Sequence, residues 1–496
     1  MRAKVLLHKS IAVLSLIIFC SVYLGVLVQS IAKNIHIIIT SIFLIIGYWS
    51  IKKRGKIEKR EFYGCFVSMI IVQIIVGYYL RVEYSTWDVY AVTQNAAALA
   101  KGEYFNAPYF ARYPNNIAIL LLFTLVFKVT NYLFGSTSVM FLIMLNIMAI
   151  DSAVWLTVKL VKMLKSEELA WRTGTVMVLF APFYLYVPIC YTDTFSLPIM
   201  IGLVYWIIWY AFNQEKIVKW KSVFHTIGIG SFIILGYKLK GSIMIILVAT
   251  IIYFFLKFEL KIFVKKILWI LIGAFLAIVI WKVGVDSINL IKQEEYNEYQ
   301  FPVSHWIMMG LSGSGSYRQE EVDFTMAIPS YEKKKEATLE KIREKVNELG
   351  VRGIFTQLYK KAVTYGWNYG TCYAERYLGD VGDQPIRKNV LHEFVLSQGK
   401  WHKEFYILTQ SMWLLLFGAS ALQFISGLKN ENLEFFFLRL IIFGCMLFFM
   451  IWETHPRYIL NYTPLVIIIG TTQWEYYLDK FLEKMNLRKK PGKKMK

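Results

Sequence analysis

The chain has 496 residues, 56% of them hydrophobic, and a mean hydropathy of +0.46, which excludes a soluble globular protein. Its net charge of +21 would suit a nucleic-acid partner, but the lysines and arginines fall in short segments between apolar runs, where a membrane accounts for them. The five cysteines (Cys20, Cys65, Cys190, Cys372, Cys445) form no CxxC pair and no metal-ligand spacing, so no disulfide framework is expected.

Apolar runs of spanning length are expected at 10–31, 35–50, 63–81, 138–158, 173–190, 194–211, 223–237, 242–256, 265–284, 405–426, 435–452 and 457–475. The basic start, followed by an apolar run with no small-residue cleavage site, reads as a retained first helix. The segment 51–60 carries six Lys/Arg and the tail 476–496 carries eight, so both, with the N-terminus, are expected in the cytoplasm. A further apolar stretch, 116–129, would invert every later loop if it crossed. It is therefore read, within 116–134, as a helix lying at or re-entering the outer surface.

This topology divides the chain into a transmembrane module (1–284) carrying the first external loop (82–137), an external loop subdomain (285–404), and C-terminal helices with a basic cytoplasmic tail (405–496). Within the subdomain, 331–349 reads as a solvated amphipathic helix with Gly350 as its C-cap, and 353–367 as a second helix on the membrane surface. No internal repeats are evident.

Charged residues collect in the outward turns. The first loop holds Asp88, between Trp87 and Tyr90, then Arg112 and Tyr113-Pro114-Asn115-Asn116. The next turn holds Tyr191-Thr192-Asp193, and GYKLKGS holds Lys238 and Lys240. The last, WETHPRY, holds Glu453, His455, Arg457 and Tyr458. A carboxylate at the boundary of hydrocarbon and water can be partly desolvated without being stranded in lipid, which suits a base. Each of these residues also has a plainer reading. Asp88 and Asp193 could cap the helices that follow them, and the cations could be interfacial side chains. The loop 310–316 (GLSGSGS) could close over a phosphate or simply connect. His305 and the intramembrane Asp151 are left without a role.

These segments resemble the GT-C superfamily of membrane glycosyltransferases, in particular the bacterial members related to protein O-mannosyltransferases and to the aminoarabinose transferase acting on lipid A. The likeness rests on Asp88 followed by Ala100-Lys101-Gly102 and Tyr113-Pro114, on YTDTFSLP with Asp193, on Gly236 and Lys240, and on Glu453-x-x-x-Arg457-Tyr458 ahead of Pro464. HWIMMG followed by GSY and Asp323 adds to it. Many relatives carry a second acidic residue beside the first-loop aspartate; here Val89 follows Asp88. The resemblance implies a GT-C fold with about twelve membrane helices, an outer juxtamembrane helix and a mixed external loop domain. It further implies transfer from a polyprenyl-phosphate sugar, such as an undecaprenyl-phosphate sugar, to a polysaccharide, teichoic acid or lipid of a bacterial cell envelope. The expected roles are Asp88 as general base with Asp193 as second candidate, and Lys240, Arg112 and Arg457 on the donor phosphate. Tyr113, Tyr191, Glu453, His455 and Tyr458 would face sugar or acceptor. No cofactor is assigned, and a divalent cation (Mg or Mn) stays open. A lipid-linked sugar flippase and a membrane sensor or scaffold are the competing readings.

Overall fold

The computed structural model describes residues 2–54, 57–380, 388–427 and 432–488, so residues 381–387 of the loop segment and the tail beyond 488 lie outside it. Among the described residues every regular element is helical, and ten helices are long and apolar enough to cross a membrane. The protein is an all-α polytopic membrane protein.

The first half runs α1 (Arg2–Lys33), α2 (His36–Arg54), α3 (Lys59–Tyr79), α4 (Asp88–Lys101), α5 (Ala107–Arg112), α6 (Ile117–Phe134), α7 (Val139–Leu164), α8 (Glu167–Val178), α9 (Pro182–Leu185), α10 (Thr192–Phe195) and α11 (Leu197–Asn213). The second half runs α12 (Lys219–Leu239), α13 (Met244–Lys257), α14 (Leu260–Ile288), α15 (Gln293–Tyr299), α16 (Val303–Leu311), α17 (Gln319–Met326), α18 (Tyr331–Lys360), α19 (Ala374–Gly379), α20 (Val390–Val395), α21 (His402–Gly427), α22 (Leu433–Ile451) and α23 (Thr463–Arg488). Helices α15 to α20 fill the segment expected as a loop subdomain. Gly350, at φ 57°, kinks α18 where the sequence placed a helix end.

Side-chain links tie neighbouring passes together at each end of the bundle. At one end of the bundle Glu475 of α23 accepts from Tyr48 and pairs with Lys52 of α2 and Arg172 of α8. Lys257 closes α13 onto Glu434 of α22, and Lys266 of α14 meets Tyr210 of α11. At the other end Gly77 of α3 packs on Ile143 of α7 and on Val187. Traced in chain order, these links give twelve passes between the two ends, counting α8 and the broken stretch 179–191 as one.

Nine of the twelve expected spans are among the ten long apolar helices. Three are not, for separate reasons. The expected span 173–190 is broken: α8 ends at Val178, and Pro182 and Pro188 interrupt the chain beyond it. The carbonyls freed there are met from neighbouring helices. Gln73 donates to Phe183 O at 3.1 Å, and Asn146 donates to Tyr186 O at 2.9 Å and Val187 O at 2.8 Å. Irregular backbone at this depth survives only where buried protein groups satisfy it. The pass through α13 is short, and α23 turns charged from Glu475 onward.

The tenth long helix is the ambiguous one, since 114–134 is long and apolar enough to cross. Its two ends nevertheless meet the same end of the bundle. Asn116 is hydrogen-bonded to Tyr191, while Phe134 stacks on Phe141, two residues from the Ile143 that packs on Gly77. One face of α6 packs on α4 and the other exposes Leu125, Val129 and Leu133 together with Lys128.

Helices α12 and α14 cross with backbones nearly touching. A Cβ on Gly230 would stand 1.9 Å from Ile270 O, and one on Gly273 2.0 Å from Ile227 O. Small residues allow this approach where lipid supplies no hydrophobic drive between helices. Gly273→Val is therefore expected to lower thermal stability in detergent by about 1–3 kcal/mol or more, whereas Gly284→Val, with open space around it, leaves the melting temperature unchanged.

Candidate active site

Asp88 opens α4, with Trp87 as the helix N-cap, so its carboxylate lies in the first turn where backbone N–H groups favour negative charge. The side chain does not close the helix on itself. Oδ1 accepts from the Tyr109 hydroxyl at 2.6 Å, and Oδ2 lies 3.3 Å from the Tyr191 hydroxyl. Tyr109 in turn accepts from Asn116 Nδ2 at 2.9 Å, and Tyr191 donates to Asn116 Oδ1 at 2.7 Å. Two tyrosines and one buried asparagine thus hold a carboxylate that keeps 34% of its side chain exposed.

Opposite Asp88 stands Arg457, from the 3-10 turn Pro456–Tyr462. Its Nη2 is 3.7 Å from Asp88 Oδ2 and its Nε is 3.8 Å from Asp193 Oδ2. Both distances are ion-pair contacts but too long for hydrogen bonds. Among the described residues the buried Nε and Nη1 have no hydrogen-bond partner, and the side chain is only 9% exposed. The rings of Tyr191, Tyr377 and Tyr458 surround the guanidinium at 5.1, 5.2 and 5.4 Å, so its charge is met by π faces as well as by the two carboxylates. Asp193, 2% exposed, pairs through Oδ1 with Lys240, which caps α12.

The remaining residues of WETHPRY form one wall. Glu453 accepts from the Tyr458 hydroxyl at 2.8 Å, and burial raises its carboxyl above the usual range. His455 shares a 2.7 Å hydrogen bond with Tyr377, and burial, reinforced by Arg457, holds its imidazole well below the usual value. The glycine-serine strap is pinned to the same wall: Glu453 N donates to Trp306 O at 3.1 Å and Thr454 N to Gly315 O at 2.9 Å. Beneath it Lys361, fully buried, donates to Met450 O at 2.8 Å and Trp452 O at 2.7 Å, closing the last carbonyls of α22. Burial pushes this lysine down to about 7, with Glu453 opposing the shift.

The structure thus gathers Asp88, Tyr191, Asp193, Lys240, Glu453, His455, Arg457 and Tyr458 into one cluster. Arg112 and Tyr113 stand at its edge. Tyr113 packs 5.2 Å from Tyr109, whereas Arg112 lies over Tyr113 and Phe301 with a buried Nε that has no hydrogen-bond partner among the described residues. Both aspartates pair with other cations, Asp88 with Arg457 and Asp193 with Arg457 and Lys240. The sequence reading missed Tyr109, Tyr377 and Lys361. Tyr109 sits inside the motif-bearing loop and could have been weighed; Tyr377 and Lys361 lie in the long segment with no local pattern to mark them. Among the described residues, no group of three or more His, Cys, Asp or Glu side chains is placed to hold a metal ion.

Fold and cluster together define a polytopic membrane protein with a buried arginine–carboxylate centre at one end of its bundle. The family described as conserved hypothetical integral membrane protein matches residues 9–478, and the chain belongs to it. No curated protein matches the chain. Among solved structures it is similar to the archaeal oligosaccharyltransferase AglB from Archaeoglobus fulgidus, in complex with an inhibitory peptide and a dolichol-phosphate, at 10% identity and a TM-score of 0.41. That match covers 87% of this chain and 52% of the other, so this chain spans about half the length of that protein.

Two outcomes test the cluster. Lys240→Met leaves the buried Asp193 without its close partner and is expected to destabilise by about 3 kcal/mol or more; adding Asp193→Asn recovers most of that loss in a thermal-unfolding cycle. The second concerns His455, whose imidazole is neutral in the fold but takes a proton near pH 6.5 once unfolded. Its contribution to stability is full above that pH and declines as pH falls below it. The melting temperature of His455→Gln should accordingly drop less between pH 7 and about 5 than that of the wild type.

Proposed function

We propose that this protein is a membrane glycosyltransferase that moves a sugar from a polyprenyl-phosphate donor to a hydroxyl of a cell-envelope acceptor, with inversion at the anomeric carbon. The observation that carries the reading is Arg457: a buried guanidinium with unmade donors, set between two carboxylates at the membrane-boundary end of the bundle. A lipid phosphate arriving at that depth needs cations with free hydrogen bonds, and a fork-shaped guanidinium matches it.

In this mechanism the acceptor oxygen attacks the anomeric carbon as the bond from that carbon to the phosphate oxygen breaks. Asp88 takes the hydroxyl proton as general base; its partial exposure leaves room for an acceptor, and the hydrogen bond from Tyr109 aims its Oδ1, with the Tyr191 hydroxyl beside Oδ2. The electron pair leaves with the polyprenyl phosphate, whose charge is met by Arg457 and Lys240. Asp193 holds Lys240 rather than a proton. Glu453, His455, Tyr458 and Tyr113 are positioned to contact sugar or acceptor hydroxyls, and Arg112 is a donor-side cation nearer the strap. Because the basic segment 51–60 adjoins the Lys52 end, the positive-inside rule puts that end in the cytoplasm of a bacterial plasma membrane and this site outside. Nucleotide sugars are absent there, which favours a lipid-borne donor such as an undecaprenyl-phosphate sugar. A wall polysaccharide, teichoic acid or lipid would serve as acceptor.

Purified protein given a panel of polyprenyl-phosphate sugars is expected to transfer sugar. Asp88→Asn should lower kcat about a hundredfold or more with little change in donor KM, and Arg457→Gln should raise donor KM. A parallel series with EDTA reads any need for a divalent cation. Lipid movement in liposomes with no transfer from any donor would falsify the proposal in favour of a flippase.

A further inference from the structure

A second cationic site lies at the opposite end of the bundle. A cavity of about 280 Å³ opens between the ends of α11, α12 and α14, and its wall carries Lys219, Lys261, Lys265 and Lys266. Among the described residues no aspartate or glutamate lines it; the nearest acids along the chain, Glu215 and Glu259, are not part of the wall. Three of these lysines are exposed at the rim, but Lys266 is 7% exposed. Its ammonium donates to the Tyr210 hydroxyl at 2.5 Å and lies 4.5 and 4.8 Å from the rings of Tyr210 and Phe258. No carboxylate is paired with it among the described residues. Tyr210 also shares a 2.6 Å hydrogen bond with the Ser222 hydroxyl.

A desolvated ammonium beside three others is costly unless an anion joins them. Other cations at this end are met by partners: Lys52 and Arg172 pair with Glu475, Lys257 with Glu434, and the buried Arg439 donates to the carbonyls of Gln423 and Phe424. The cavity is small, enough for a phosphate and its ester oxygens rather than a large substrate. The rest of its wall mixes apolar side chains, Ile217, Val223, Ile262 and Trp269, with the neutral polar Gln214, Ser222 and Thr226. Helix α12 connects the two sites. Its first turns line this cavity, and its C-cap Lys240 pairs with Asp193. The 21 residues between span about 30 Å, the thickness of a bilayer core.

We infer that this cavity is a binding site for a phosphate ester, seated on Lys266 and the three rim lysines at the membrane boundary opposite the carboxylate cluster. Basic pockets between membrane helices recognise anionic head groups in this way. The inference uses none of the residues assigned to sugar transfer, and it stands or falls separately from that reading.

Full-length protein in mixed micelles of phosphatidylcholine and phosphatidylglycerol would be analysed by native mass spectrometry. Thermal shift with inorganic phosphate and with glycerol phosphate would be measured in parallel. Wild type is expected to retain phosphatidylglycerol in preference to phosphatidylcholine. Lys261→Gln/Lys265→Gln, two rim positions that do not threaten folding, should weaken that retention at least about tenfold, and Lys266→Met should abolish it. Lys59→Gln/Arg60→Gln removes the same charge from an exposed basic segment at the same end and should leave retention intact. Stabilisation by phosphate and glycerol phosphate without lipid retention, lost in the same variants, identifies a soluble phosphate ester as the ligand. Equal loss in the Lys59/Arg60 control means a diffuse basic belt and overturns the site. So does the absence of any phosphate effect and any lipid preference in the wild type.

Discussion

The arrangement at one end of this bundle depends on the burial of the Arg457 guanidinium. A charge taken out of water at this depth is tolerated only if opposite charge and polarisable surface replace the solvent. Here the replacements come from distant parts of the chain: Asp88 from the first loop, Asp193 from the turn after the broken stretch, and Tyr377 from the long loop segment. Lys240 then shares Asp193, which fixes the end of α12 against α10. The separations of 3.7 and 3.8 Å leave the guanidinium balanced in charge but unsatisfied in hydrogen bonds. Those unmade donors are what the proposed contact with a donor phosphate would use.

Such a centre needs a rigid surround, and the surround is built from polar groups placed among apolar helices. Asn146 and Gln73 receive the broken segment 179–191 by hydrogen-bonding its freed carbonyls, and that segment delivers Tyr191 and Asp193 to the site. Lys361 does the same for the end of α22, and so sets the position of Glu453 and of the strap that crosses it. In both places the chain leaves regular helix inside the bundle and a buried side chain takes up carbonyls at the break.

Much of this was legible in the sequence. Apolar runs of spanning length, basic segments between them and turn-borne charges marked a polytopic helical protein and most of the cluster, because hydrophobic length and charge are local properties. What was not legible was where a run fails to be one helix. The apolar stretch 173–190 reads as a span by composition, but Pro182 and Pro188 break it, and the break persists because Asn146 and Gln73 satisfy it. The helix 117–134 shows the converse: length and apolarity allow it to cross, and only the contacts of its two ends place both at one end of the bundle.

Local composition was enough for the class of protein, for most of the spanning helices, and for the turn-borne aspartates and arginine that meet at one end of the bundle. Hydropathy and charge patterning require no partner to be read. Packing of the helices set Arg457 between Asp88 and Asp193 while Arg112 stands apart, and brought Tyr109, Tyr377 and Lys361 beside them. It also decided that four lysines near the ends of α12 and α14 share a cavity without a carboxylate. Each of these depends on a few ångströms between residues tens to hundreds of positions apart, a separation that helix packing sets and no local pattern encodes.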